Sequence, residues 1–230
     1  MTLLGSTALA NPATFTIDPT ATTVTISGTL AGLPITQQGP GSLTTTYFGA
    51  IRAELAPGAV RFVQGGNAVA NNSGSWQPAP GGAAGSAPAN YGGQVNFGLL
   101  GIGRLAIRNL QVDAFSDPIP LASGSFAASQ ANVIANTGTA DFRSTLLTGS
   151  EDLAGSSGPN SDAGPGSLAI AANPAAGTGT ATLTLPIRAT LITDVQGIGQ
   201  AVIQFNGQFR GRVSSIGGDA NFDTIVDLAD

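Results

Sequence analysis

The feature that most constrains this chain is a pair of long segments with strict two-residue periodicity. Ala181, Leu183, Leu185, Ile187, Ala189 and Leu191 share one register, and Thr182, Thr184, Arg188 and Thr190 occupy the other. After a break over residues 194–199, Ala201, Ile203, Phe205, Phe209 and Val213 repeat the apolar register against Gln204, Asn206, Gln208, Arg210 and Arg212. Side chains alternate between the two faces of a strand, so this pattern predicts two half-buried strands joined as a hairpin. Pro186 falls on the wet register, as expected of an edge or a bulge, because proline cannot donate to a ladder.

The same alternation recurs upstream. Val24, Ile26, Gly28 and Leu30 oppose Thr23, Thr25, Ser27 and Thr29, and Leu43, Tyr47, Ile51 and Leu55 share a face opposite Arg52 and Glu54. Gly39-Pro40-Gly41 marks a turn between them. Residues 94–115 return to strand character, and shorter strands are expected around Phe126, Val133 and Phe142. Within that stretch, Gly101-Ile102-Gly103-Arg104-Leu105-Ala106 is a formal dinucleotide fingerprint. The fingerprint has meaning only where a helix follows, and the alternating Ile107–Val112 stretch reads as a strand, so it is rejected.

Composition supports the same class. The chain has 33 Gly, 14 Pro and only 9% charged residues, whereas amphipathic helices need charged side chains on their wet faces. The expected fold is an all-β antiparallel sandwich, jelly-roll-like or Greek-key, with long Gly/Pro/Ser-rich loops. Two such loops are expected, over residues 64–93 and 148–180. The first holds Trp76 and Tyr91, which read either as a plug on the core edge or as a platform for sugar stacking. The second carries Glu151, Asp152 and Asp162, whose oxygens could face a cation but read better as solvated.

Charge and missing residue types narrow the function. Net charge is −5 and there is no basic patch, so the electrostatic footprint of nucleic-acid binding is absent. The chain has no Cys and no His, which removes disulfides, thiolate metal sites and the commonest general base. A glycosidase needs two carboxylates facing each other across a cleft. Glu54 lies mid-strand and Glu151 in a loop, so neither has a partner, and the chain reads as non-catalytic. No stretch approaches the roughly twenty apolar residues of a membrane span.

One segment carries chemistry that spacing can defend. Counting from Asp219, an EF-hand loop would take ligands from Asp219, Asn221, Asp223, the carbonyl of Ile225, Asp227 and Asp230. Calcium needs many hard oxygens, and these positions reproduce the 1, 3, 5, 7, 9, 12 order. Val226, at position 8, is an apolar residue of the kind such loops turn toward a neighbouring core.

The run Gly218-Asp219-Ala220-Asn221-Phe222-Asp223, continuing to Asp227-Leu228-Ala229-Asp230, resembles the first half of a dockerin type I repeat, an EF-hand-like loop closing in Asp. The resemblance implies calcium as cofactor, a cohesin-like partner, and export to the bacterial cell surface or medium. The alternative reading, resting on the Trp76–Tyr91 loop or a sheet face, is a carbohydrate-binding accessory module of a polysaccharide-degrading system. Thr224 stands at position 6, where the turn favours a left-handed glycine, and no second repeat follows within the sequence. Weak calcium affinity is therefore expected. Ala8-Leu9-Ala10 has the small residues of a signal-peptidase site, so residues 1–10 read as a signal-peptide remnant that export would remove. Residues 11–216 form the expected β-sandwich domain, and 217–230 the calcium loop.

Overall fold

The computed structural model describes residues 11–145, 147–173, 178–195, 197 and 199–215. In chain order it begins with β1 (Ala13–Ile17), β2 (Thr23–Leu30), β3 (Leu33–Pro34), β4 (Thr36–Gln37), β5 (Thr44–Ala56) and β6 (Ala59–Val63). Then come β7 (Ala68–Ala70), β8 (Gly74–Trp76), β9 (Ala87–Ala89), β10 (Tyr91–Asn96), β11 (Ile102–Phe115), β12 (Ile119–Ala122) and β13 (Ser125–Ala127). The remainder is β14 (Asn132–Arg143), β15 (Thr148–Asp152), β16 (Ser157–Pro159), β17 (Pro165–Asn173), β18 (Thr178–Val195) and β19 (Gly199–Ser215). Every strand pairing among the described residues is antiparallel, and helix is confined to three short 3-10 turns. The all-β class read from alternation is therefore the class observed.

β18 and β19 form the expected hairpin, in unbroken register from Gly179↔Ser215 to Val195↔Gly199. Seventeen paired residues at about 3.3 Å each make a ribbon roughly 55 Å long. Its apolar register is buried throughout: Leu183, Leu185 and Ala189 are inaccessible, and Ile203, Phe205 and Phe209 nearly so. Glycine replaces a larger side chain at Gly207 because a Cβ there would stand 2.1 Å from the Thr23 carbonyl oxygen of β2.

The ladders around this hairpin close on themselves. β19 pairs with β1, β1 with β5, β5 with β6, β6 with β12, β12 with β13, β13 with β17, and β17 with β18. β1 and β2 lie end to end in one slot between β19 and β5. A second group is built on β11, which pairs with β14 on one side and with β10 and β7 on the other. β14 carries β15 and β16, while β5 joins the groups by pairing with β7 at Tyr47–Gly49. A single apolar core draws on both groups. Tyr91 of β10 packs edge-on against Phe205 of β19 (6.3 Å between ring centroids), and Tyr47 against Phe209 (5.1 Å).

Pro186 marks a real change of neighbour. β17 covers β18 only as far as Thr184, and beyond it the buried side chain of Asn160 substitutes for a strand. Its amide donates to the Pro186 carbonyl (2.8 Å) and its oxygen accepts from the Arg188 N–H. Strands also occur where loops were expected: residues 148–180 contain β15, β16 and β17, and residues 64–93 contain β7, β8, β9 and the start of β10.

Replacing Phe205 with Ala should cost about 3–5 kcal/mol, since a buried ring is lost and the cavity collapses only in part. Gln204→Ala, on the exposed face of the same strand, should cost less than about 0.5 kcal/mol. Urea titrations of both variants check the facing, and equal losses would contradict it.

Candidate functional site

The calcium-loop residues Asp219, Asn221, Asp223, Ile225, Asp227 and Asp230 lie outside the described residues. The other acids considered from sequence do not converge. Glu151 and Asp152 are neighbours on β15 and so point to opposite faces. The Asp152 carboxylate accepts the Ala154 N–H at 2.9 Å, and Asp162 is exposed on a turn. Among the described residues no group of three or more acidic side chains is placed to hold a metal ion. Glu54 is engaged with Arg61 of the adjacent strand at 3.1 Å.

The two aromatics of the first long excursion separate. Tyr91 is fully buried, and its hydroxyl sits 2.9 Å from that of Tyr47. Burial pushes both phenols well above their ordinary range; for Tyr91 the neighbouring Tyr47 adds to the effect. Trp76 is half-buried and lies against glycines: a Cβ on Gly92 would be 2.4 Å from its ring, and one on Gly74 2.7 Å. Its indole N–H donates to Ser73 Oγ at 2.8 Å. These residues make a plug, and no stacking platform is formed from the pair.

What holds this excursion down is a buried polar clasp that alternation gave no reason to expect. The Arg108 guanidinium on β11 pairs with Asp141 on β14, with the side chains only 7% and 1% exposed. Arg108 also donates to the carbonyls of Pro88, Trp76 and Pro78. Asp141 accepts the Gly81 N–H (2.8 Å) and the Ser150 hydroxyl (2.7 Å). Gln38 adds bonds to the backbone of Gln77, Gly93 and Leu105, and Gln77 accepts from Arg104. Just beyond Arg108 the β11–β14 register shifts, with Asn109 in the left-handed region at φ 52°. Asn90 then receives the Leu110 N–H at 2.9 Å. Asp113 works similarly on the turn after β6, accepting the N–H groups of Gly65, Gly66 and Asn67 and the Asn136 amide at 2.7–3.0 Å. Each of these buried polar groups has its partners, as a stable interior requires.

A surface depression lies elsewhere, where the ends of β6 and β11 meet the start of β14. It encloses about 460 Å³ and is lined by Arg61, Phe62, Val63, Gln64, Phe115, Ser116, Asp117 and Asn132. Its floor is fixed: the Phe62 N–H donates to Ser116 Oγ at 3.0 Å, the Ser116 N–H to the Phe62 carbonyl at 3.1 Å, and Phe115 stands opposite Asn132 in the ladder. Phe115 is half-buried.

Asp141→Asn should destabilise the chain by about 3–5 kcal/mol, because it leaves the Arg108 charge buried without its counter-ion. Denaturant titration measures the loss, and a loss below about 1 kcal/mol would show that the pair does not hold the excursion. Comparison of the chain with known proteins finds no matching family model, no similar curated protein and no similar solved structure.

Proposed function

We propose that this chain is an exported, non-catalytic β-domain attached to a cohesin-like partner or to a cell surface through its calcium loop. The observation that carries the reading is the spacing of Asp219, Asn221, Asp223, Ile225, Asp227 and Asp230, which supplies calcium's oxygen ligands in EF-hand order. The structure supports the arrangement indirectly. β19 runs to Ser215, so only two residues separate the domain's longest ribbon from Gly218. β1 pairs with the same end of β19, at Thr16↔Arg212 and Ile17↔Gly211. The chain therefore enters and leaves the domain at one end, which suits a tethered module. Among the described residues no helix is long and apolar enough to cross a membrane.

An accessory module that binds polysaccharide is the second reading. The Trp76–Tyr91 pair gives it no support, since Tyr91 is buried.

Four carboxylates in one loop repel each other until a cation arrives, and ordering the loop costs about 1–2 kcal/mol per fixed residue. Calcium affinity in this chain is therefore expected in the millimolar range of weak extracellular sites. Titration calorimetry should show weak binding that Asp223→Ala abolishes, and binding should tighten when a second dockerin-type repeat is appended. If appending that repeat yields no calcium binding at all, the attachment reading is wrong.

A further inference from the structure

The tip joining β10 to β11 departs from the polar character of ordinary turns. Six large apolar side chains stand exposed among the described residues, and three of them, Leu99, Leu100 and Ile102, fall within four positions here. Leu99 is fully exposed. The tip is nonetheless tightly built. The Phe97 N–H donates to the Gly101 carbonyl at 2.9 Å, the Gly101 N–H to the Gly98 carbonyl at 3.0 Å, and the Leu100 N–H to the Phe97 carbonyl at 3.4 Å. The Gly98 N–H donates to the Asn96 carboxamide oxygen at 2.9 Å, and the Thr145 hydroxyl to the Leu100 carbonyl at 2.7 Å. From Phe97 to Gly101, only Leu99 keeps backbone groups without a hydrogen bond inside the protein.

Other connections lie at the same end. A Cβ on Gly197, between β18 and β19, would stand 3.0 Å from the Leu147 side chain, and one on Gly199 would stand 3.5 Å from Ala31. The connections 31–32, 97–101, 144–147 and 196–199 contain no charged residue, and Asp194 is the one acid within two residues of any of them. Behind this uncharged cap, Arg104 stands two residues from Ile102 and directly opposite Arg143 in the β11–β14 ladder. Neither forms an ion pair among the described residues: Arg104 donates to the Gln77 side chain, and Arg143 to the Gly82 carbonyl at 3.0 Å. Like charges opposed across a ladder repel, and an anion beside them relieves the repulsion.

We infer that this end of the domain docks on an anionic phospholipid bilayer, with Leu99, Leu100 and Ile102 in the acyl boundary and Arg104 and Arg143 at the phosphates. Surface-bound apolar groups enter a bilayer by about 5–10 Å. Two strand residues span roughly 7 Å, so Arg104 lies at headgroup depth when Ile102 is immersed. Backbone that leaves water must satisfy its polar groups internally, which residues 97–101 do at every position but Leu99. A protein partner is the weaker fit. A specific protein interface covers about 800 Å² on each side and is anchored by aromatic residues, and three aliphatic side chains on one tip fall short of both. A fluid bilayer needs no complementary pocket. This inference goes beyond the attachment reading and does not rest on it. β19 ends at Ser215, opposite Gly179, at the far end of the ribbon from the β18–β19 turn.

The test is co-sedimentation of the full chain with vesicles of equal parts phosphatidylglycerol and phosphatidylcholine, and with vesicles of phosphatidylcholine alone. Chelator is present throughout, so calcium cannot bridge the acidic terminal loop to lipid, and failure here leaves the attachment reading standing. Binding is expected to the anionic vesicles, and to weaken with added salt and on pure phosphatidylcholine. Leu99→Ser should reduce it about tenfold, the loss of one buried leucine side chain. Arg143→Gln should reduce it about fivefold, the contribution of one arginine near an anionic surface. Ile170→Ser, which removes an exposed apolar side chain opposite Ala181 near the other end of the ribbon, should leave binding unchanged. Leu99 is fully exposed, so Leu99→Ser should keep the melting temperature of the parent chain. No binding to the anionic vesicles, equal binding to both kinds, or binding that Leu99→Ser leaves intact would each overturn the proposal. Self-association that Leu99→Ser abolishes, without vesicle binding, would also overturn it and assign the tip to a second copy of the chain.

Discussion

The unbroken ladder between β18 and β19 is the constraint on which the rest of the structure depends. Its inner face presents a continuous strip of Ala, Leu, Ile, Val and Phe side chains, every one of them buried. No single neighbouring strand pairs along the whole of this ribbon: β2 pairs with the half of β19 nearest the turn and β1 with part of the other half, while β17 pairs with only the first part of β18. The aromatic contacts of Phe205 with Tyr91 and Phe209 with Tyr47 then bring β10 and β5 down onto the strip. Apolar burial of this kind sets which strands must approach, and the backbone ladders set how they register.

Burial alone does not place the long connections. That work falls to a few polar side chains inside the domain, each tied to backbone atoms remote in sequence. Arg108 and Asp141 clamp the segment around Trp76, Pro78 and Gly81 onto β11 and β14. Asp113 gathers three consecutive N–H groups after β6, Asn90 bridges the excursion to the shifted register of β11, and Asn160 completes the edge of β18. Removing one member of such a set leaves a buried group unpaired, which costs more than the bond itself contributed. The connections are therefore as constrained as the strands, despite a composition that reads as loop.

This division explains what was legible in the sequence. Strands with one wet face announce themselves by period two, so β2, β5, β18 and β19 are plain, down to the position of Pro186 as the point where a neighbour ends. β15, β16 and β17 are not: Thr148–Asp152 and Ser157–Pro159 carry almost no apolar register, and they exist because β14 offers them a ladder. Arg108 sits in a strand at a position that composition assigns to solvent, and only the approach of Asp141 makes it an interior residue. Tyr91 followed a Gly/Pro-rich run and looked like loop, although it opens β10 and fills the core. The depression is invisible in sequence because Gln64, Asp117 and Asn132 are far apart in the chain and are ordinary one at a time.

With the longest ladder and a buried inner face, β18 and β19 form the last unit of the domain to open, and native-state hydrogen exchange measures this. In β18 the Leu183, Leu185, Ile187 and Ala189 N–H groups point toward β19, while Ile192 points outward past the end of β17. The account predicts that the first four exchange only through global unfolding, with the slowest rates in the domain, and that Ile192 exchanges by local fluctuation many times faster. Exchange of Leu185 and Ala189 as fast as that of Ile192, or slower protection in the β11–β14 pair, would contradict it.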